Sequence, residues 1–204
     1  MKRFSVILVL GALIGGCVNM SAPPQQPAIS YQKQPVAQRQ SQQSAIHSWN
    51  ASGAISVQSA RQSPTIMRYQ WRQQGPNIFD INLAASLNLA EVTITGRPHR
   101  VSLQKGNEKA ITATTPEQLM QKSLGWSLPV QTLWFWARGL PAPGPNQGTQ
   151  YDRYGHLISL KQNGWLVRYS NYHTLQNVDL PEVIELRHAD ISAKIVIKQW
   201  IINH

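Results

Sequence analysis

The chain has one cysteine, Cys17, preceded by Ile14-Gly15-Gly16. Small residues before a thiol let a peptidase reach the bond and leave the sulfur open to an acyl donor. The stretch resembles a bacterial lipobox, in which the thiol takes a diacylglyceryl group; the alternative is an ordinary signal peptide with a chance cysteine. The residues before it fit that processing. Lys2 and Arg3 form a charged start and Phe4 to Ile14 an apolar run, which together read as a secretory signal over 1–16. The run is short for a transmembrane helix. A single cysteine also excludes an intramolecular disulfide.

Other reactive side chains are present without the spacing that catalysis needs. Six histidines are scattered, with no H-E-x-x-H or other metal-ligand spacing. There is no G-x-S-x-G and no glycine loop to cradle phosphate. None of the nine acids form a recognisable pair for general acid–base work. Asp152-Arg153-Tyr154-Gly155-His156 reads as a turn. Catalysis, a metal and a cofactor are therefore not expected.

The net charge is +10, or +8 once Lys2 and Arg3 are removed with the signal. A basic surface suits an anionic partner such as a membrane surface, a polyanion or an acidic protein. No Lys/Arg run is dense enough for a nucleic-acid patch. Val18 to Gln43, rich in Pro, Gln and Ser, reads as a tether behind Cys17 over 17–43, with one domain over 44–204.

Positioning falls to a Trp-rich stretch and the strands around it. In Leu124 to Gly144, Pro129 fits a first helical turn, and Gly139 fits a left-handed end before Pro141 and Pro143. Val130, Leu133, Trp134 and Ala137 follow the spacing of a buried helix face, while Phe135 and Trp136 make the flank apolar. Thr115-Pro116-Glu117-Gln118 marks an earlier helix, with Thr115 as N-cap. An irregular helix is expected within Val36 to Trp49.

Period-two alternation marks strands at Ala54–Val57, Met67–Arg72, Phe79–Leu83 and Ala90–Thr95. Shorter candidates are Val101–Leu103 and Ile111–Ala113. After the Pro-rich loop come Gln150–Arg153, His156–Lys161, Trp165–Ser170, Val183–Arg187 and Ala193–Ile201. Gln74-Gly75-Pro76 and Gly96-Arg97-Pro98-His99 read as turns, and Asn163-Gly164 as a two-residue hairpin. The fold class expected is mainly β with helices: an unclosed antiparallel barrel of about 10–11 strands enclosing a helical plug and an apolar cavity. Inward positions would be Met67, Tyr69, Trp71, Phe79, Ile81, Leu83, Val92, Ile94, Leu133, Trp134, Trp136, Trp165, Val167 and Tyr169. Between two of the strands lies Ala85-Ser86-Leu87-Asn88, where Leu87 is unexpected at a turn. From pattern alone it either folds back onto the core or projects.

Gly125-Trp126-x-Leu128-Pro129-Val130, an aromatic-rich helical turn with Leu133, then Trp136-x-x-Gly139-Leu140-Pro141-Ala142-Pro143-Gly144 resembles the outer-membrane lipoprotein receptor family LolB. The likeness covers roughly Trp49 to Trp200. It implies an unclosed barrel with a helical lid, an acyl-chain cavity, and a protruding loop whose leucine, Leu87 here, helps deliver lipoproteins into the membrane. The family often has Pro and Gly beside that leucine; this chain has Ser86 and Asn88. The resemblance implies a monomer held by lipidated Cys17 at the periplasmic face of the outer membrane. Val18, rather than Asp, after the cysteine agrees with sorting to that membrane. Its partners would be the periplasmic carrier LolA, lipoprotein acyl chains and the inner leaflet. The alternative is a non-catalytic lipid- or glycan-binding assembly lipoprotein, which a sealed interior would favour.

Overall fold

The computed structural model describes residues 31–60, 62–85 and 91–203. Cys17, the signal, most of the tether and Ser86 to Asn88 lie outside the described residues. The elements run α1 (Val36–Ser44), β1 (Ser48–Ser59), β2 (Gln62–Gln74), β3 (Ile78–Ala85), β4 (Val92–Arg97), β5 (Arg100–Lys105) and β6 (Ile111–Ala113). They continue with α2 (Pro116–Leu124), α3 (Val130–Trp136), β7 (Asn146–Tyr151), β8 (Leu157–Gln162), β9 (Trp165–Leu175), β10 (Val178–His188) and β11 (Ile191–Asn203).

All eleven strands form one antiparallel sheet, in the order β6-β5-β4-β3-β2-β1-β11-β10-β9-β8-β7. Two meanders, β1–β6 and β7–β11, are joined where the first strand pairs with the last. The sheet curls around its apolar face without closing, because β6 and β7 do not pair with each other. The segment between those two edges carries α2 and α3. Alternation drives this arrangement: β3 reads half-buried, buried, half-buried, buried along Ile78–Leu83, with Phe79, Ile81 and Leu83 inside.

The helix caps follow the sequence. Thr115 Oγ1 accepts from the Gln118 amide at 3.4 Å. Gly125 ends α2 in the left-handed region, at φ 78°. Leu140 N donates to Phe135 O and Gly139 N to Trp136 O, a Schellman ending with Gly139 at φ 78°. The α3 N-terminus is held by Glu117 Oε1, which accepts from Val130 N at 2.9 Å. The anion suits the positive end of a helix.

Several sequence boundaries need correction. The first helix stops at Ser44, and Trp49 belongs to β1. That strand begins six residues before Ala54, because Gly53 sits at a register shift rather than a turn. A Cβ on Gly53 would lie 2.0 Å from Val196 O. Gly96 is not a turn residue either. It lies inside β4 opposite Phe79, whose ring covers it so closely that a Cβ would lie 2.2 Å from Cε1. The turn beyond it uses His99 at φ 62°. The strand expected at Gln150–Arg153 is β7, Asn146–Tyr151, and that expected at Val183–Arg187 is the longer β10. Residues 31–43, read as the end of the tether, are bonded into the fold: Gln34 N donates to Tyr154 O, and Arg39 and Gln43 are buried.

Candidate functional site

The inner face of the sheet and the α2–α3 segment line an apolar cavity of ≈ 40 Å³. Tyr69 and Trp71 enter from β2, Ile81 and Leu83 from β3, and Ile94 from β4. Ile55 and Ile195 come from the central pair β1 and β11. The opposite wall is Met120 of α2, Trp126 and Leu128 of the connection, and Val130 and Leu133 of α3. Such a space has room for a water or a small apolar group, not for an acyl chain.

All fourteen residues expected to face inward are buried in one core cluster. Tyr69, Trp71, Ile81, Leu83, Ile94 and Leu133 line the cavity. Met67, Phe79, Val92, Trp134, Trp136, Trp165, Val167 and Tyr169 pack in the surrounding core. The six wall residues absent from the expected set come from the strand pair at the sheet's centre and from the helical segment. Their signal was present in the buried spacing of Val130 and in Trp126 and Leu128 beside it.

Polar groups in this core are unevenly satisfied. Trp71 Nε1 donates to Gln73 Oε1 at 2.6 Å, and Trp136 Nε1 to Gln162 Oε1 at 3.0 Å. Tyr69 Oη is buried with no partner among the described residues. Burial pushes the Tyr69 phenol well above its ordinary pKa, so it stays a neutral donor. Buried polar groups are normally paired; Trp49 Nε1, Trp134 Nε1 and Tyr169 Oη are likewise without a partner among the described residues.

A buried polar cluster that sequence reasoning missed, built on Arg39, His156 and Asp179, fixes one end of the barrel. Arg39, 2% exposed, pairs with Asp179 and reaches Tyr154 O and Gln32 O. His156 lies between two carboxylates: Nδ1 is 2.9 Å from Asp152 Oδ2 and Nε2 is 2.8 Å from Asp179 Oδ2. Burial alone would raise the Asp179 carboxyl. Hydrogen bonds from His156 and Thr174 and the Arg39 guanidinium outweigh it and hold that group at about 2. Asp152 is lowered in the same way: burial opposes, and the bonds from His156 and the Tyr154 amide win.

Arg138, 1% exposed, has no carboxylate partner among the described residues. It donates to Trp134 O at 3.1 Å and Ile46 O at 2.6 Å, and its guanidinium sits 3.9 Å from the Trp134 ring centre. Burial without a counter-charge lowers its pKa to about 10, so it remains charged. Carbonyls and aromatic faces do the solvating here. The result is that α1 and the C-terminal end of α3 are locked together.

The family model described as outer membrane lipoprotein LolB matches residues 47–200, a span that takes in every wall of the cavity. The chain belongs to the LolB family. The outer-membrane lipoprotein LolB of Coxiella burnetii strain RSA 493 is 42% identical over 199 residues, covering 97% of this chain and 93% of the relative. That of Pseudomonas fluorescens is 33% identical over 201 residues, covering 98% and 96%. A solved LolA-superfamily protein from Nitrosomonas europaea superposes with a TM-score of 0.48 at 12% identity, covering 84% of this chain and 94% of that one. That likeness is too slight to carry anything over. LolB membership makes this chain an outer-membrane lipoprotein of the lipoprotein-localisation system, facing the periplasm. Cys17 is the one thiol available to lipidation.

Proposed function

We propose that this protein accepts triacylated lipoproteins from the carrier LolA, holds their acyl chains between the sheet and α2–α3, and releases them into the inner leaflet of the outer membrane. The observation that carries the reading is the apolar interior itself, walled by aromatic and aliphatic side chains from five strands and two helices. Each methylene buried there contributes about 0.8 kcal/mol. A carrier with weaker hold loses its cargo to such a site without nucleotide hydrolysis, since about 1.4 kcal/mol gives a tenfold bias.

A cavity of ≈ 40 Å³ must enlarge to take a chain, and the bonding pattern favours one wall. The α3 end is pinned by Arg138 and by Gln162, which bonds Trp136 Nε1, Ala142 N and Ala142 O. By contrast, α2 packs against β5 and the three-residue edge strand β6. Gly125, left-handed between the helices, is a natural pivot. In this reading α2 swings away, and Tyr69 Oη meets an ester oxygen of the incoming lipid. Leu87 then engages the bilayer during release; a buried Leu gains about 1.5–3 kcal/mol, enough to bias a local contact.

The test is transfer of a labelled lipoprotein from purified LolA to this protein, followed by release into liposomes, for wild type and Leu87→Glu. The account expects wild type to take and release cargo, and the variant to take it and fail at release. A wild type that never takes cargo from an active carrier removes the proposal.

A further inference from the structure

The outer face of the sheet carries a second feature, on the opposite side of the wall from the acyl cavity. Strand register aligns Gln199, Ser52, Gln70, Asn82 and Thr93 in one transverse row across β11, β1, β2, β3 and β4. Asn50 lies two residues from Ser52 on the same face. The row floors two adjoining troughs of ≈ 470 and ≈ 570 Å³ that share Ser52, Gln70 and Asn82. The register shift between Ser52 and Gly53 bends β1 at this point.

None of these six amide and hydroxyl side chains forms a hydrogen bond with the protein among the described residues. Asn50 Oδ1 is screened from solvent and still has no partner. The other groups of the row are exposed or half-buried, so they stand free to pair with a ligand. The ions nearby follow the same logic. Asp80 is occupied by Arg97 at 3.1 Å, while Arg68, Arg72 and Lys198 have no ion pair among the described residues and stand at the rim with Glu91.

We infer that this trough binds a linear glycan bearing carboxylates. Groups that both donate and accept suit sugar hydroxyls and acetamides, and the rim cations suit the carboxylates. Neighbouring strands lie roughly 4.8 Å apart, so the row repeats at about the length of one sugar ring along a linear chain. Among the described residues, Ile201 is the one large exposed aliphatic side chain in the troughs. A polyanion without hydroxyls would use the cations and leave the amide row unpaired. The site does not rest on the acyl-chain reading.

The test uses the mature protein in detergent micelles, with end-labelled, peptide-free glycan strands from bacterial cell wall and with poly-L-glutamate as the carboxylate polymer lacking sugar. Fluorescence anisotropy is expected to show binding of the glycan. Gln70→Ala with Asn82→Ala weakens it at least tenfold, and Arg72→Ala weakens it several-fold. Poly-L-glutamate binding is unchanged by the double variant. Gln199→Ala provides an independent single change in the same row. Thermal unfolding and lipoprotein transfer by these variants stay at wild-type values, because the side chains make no internal bonds. No glycan binding, or glycan binding that the double variant leaves intact, overturns the inference.

Discussion

Tyr69 and Asp179 show how differently two buried polar groups can act. Tyr69 Oη has lost water and has no partner among the described residues. Tyr69→Phe should therefore leave stability unchanged or raise it by about 1 kcal/mol in urea unfolding, while weakening retention of loaded cargo. A clear loss of stability would mean the hydroxyl is paired. Asp179 is the reverse case, tied to Arg39, His156 and Thr174. Asp179→Asn should cost about 3 kcal/mol at neutral pH, because it leaves a buried guanidinium short of its counter-charge. The pH dependence has a definite sign. The folded carboxyl is held at about 2, below its ordinary 3.8. Its contribution is present above about pH 4 and is lost as pH falls towards 2. Wild type should lose stability across that window, and the Asn variant should lose less. At this scale the sequence exposed the inward strand residues, since alternation alone places Tyr69, Ile81 and Leu83. It hid Arg39, His156 and Asp179, because nothing local pairs residues more than twenty positions apart.

Among the elements, turn chemistry decided what could be read. Asn163-Gly164 announced its hairpin, and both residues have positive φ, 52° and 80°. Gln176-Asn177 makes the β9–β10 turn with φ of 50° and 67°, but Gln carries no turn signal, so half of β10 stayed invisible. Pro181 deepened the concealment. A proline argues against a central strand, yet here it pairs with Tyr172 of β9 before pairing with β11 begins at Val183. Ala189, in the β10–β11 turn at φ 43°, offers a clean test. Ala189→Gly should stabilise by about 0.5–1 kcal/mol, the opposite of the usual cost of glycine. Gly53→Ala should destabilise by about 1–3 kcal/mol, since its Cβ would strike Val196 O. Thermal unfolding reads both, and a destabilised Ala189→Gly would show that the turn is not strained.

At the scale of the domain, residues 31–203 form a curled sheet clamped at one end. The β2–β3, β4–β5, β7–β8 and β9–β10 connections share the end where Gln34 bonds Tyr154 and His47 bonds Gly75. At that end α1, the Asp179 network and Arg138 leave little to move. Opening is therefore assigned to α2 at the β6 edge, and a disulfide engineered between α2 and β5 should block uptake until it is reduced. The basic charge, +8 after removal of Lys2 and Arg3, should speed encounter with an acidic carrier rim or anionic headgroups. Raised salt would then slow association, and an unchanged rate would remove that role. The central claim concerns the interior. A photo-crosslinking residue placed at Ile94 or Leu133, inside, and at Gln70, outside, reports where the acyl chains lie after transfer from LolA. The account predicts adducts with the lipid portion of the cargo at the two inner positions and none at Gln70. Transfer without inner adducts, or adducts at Gln70 alone, would contradict it.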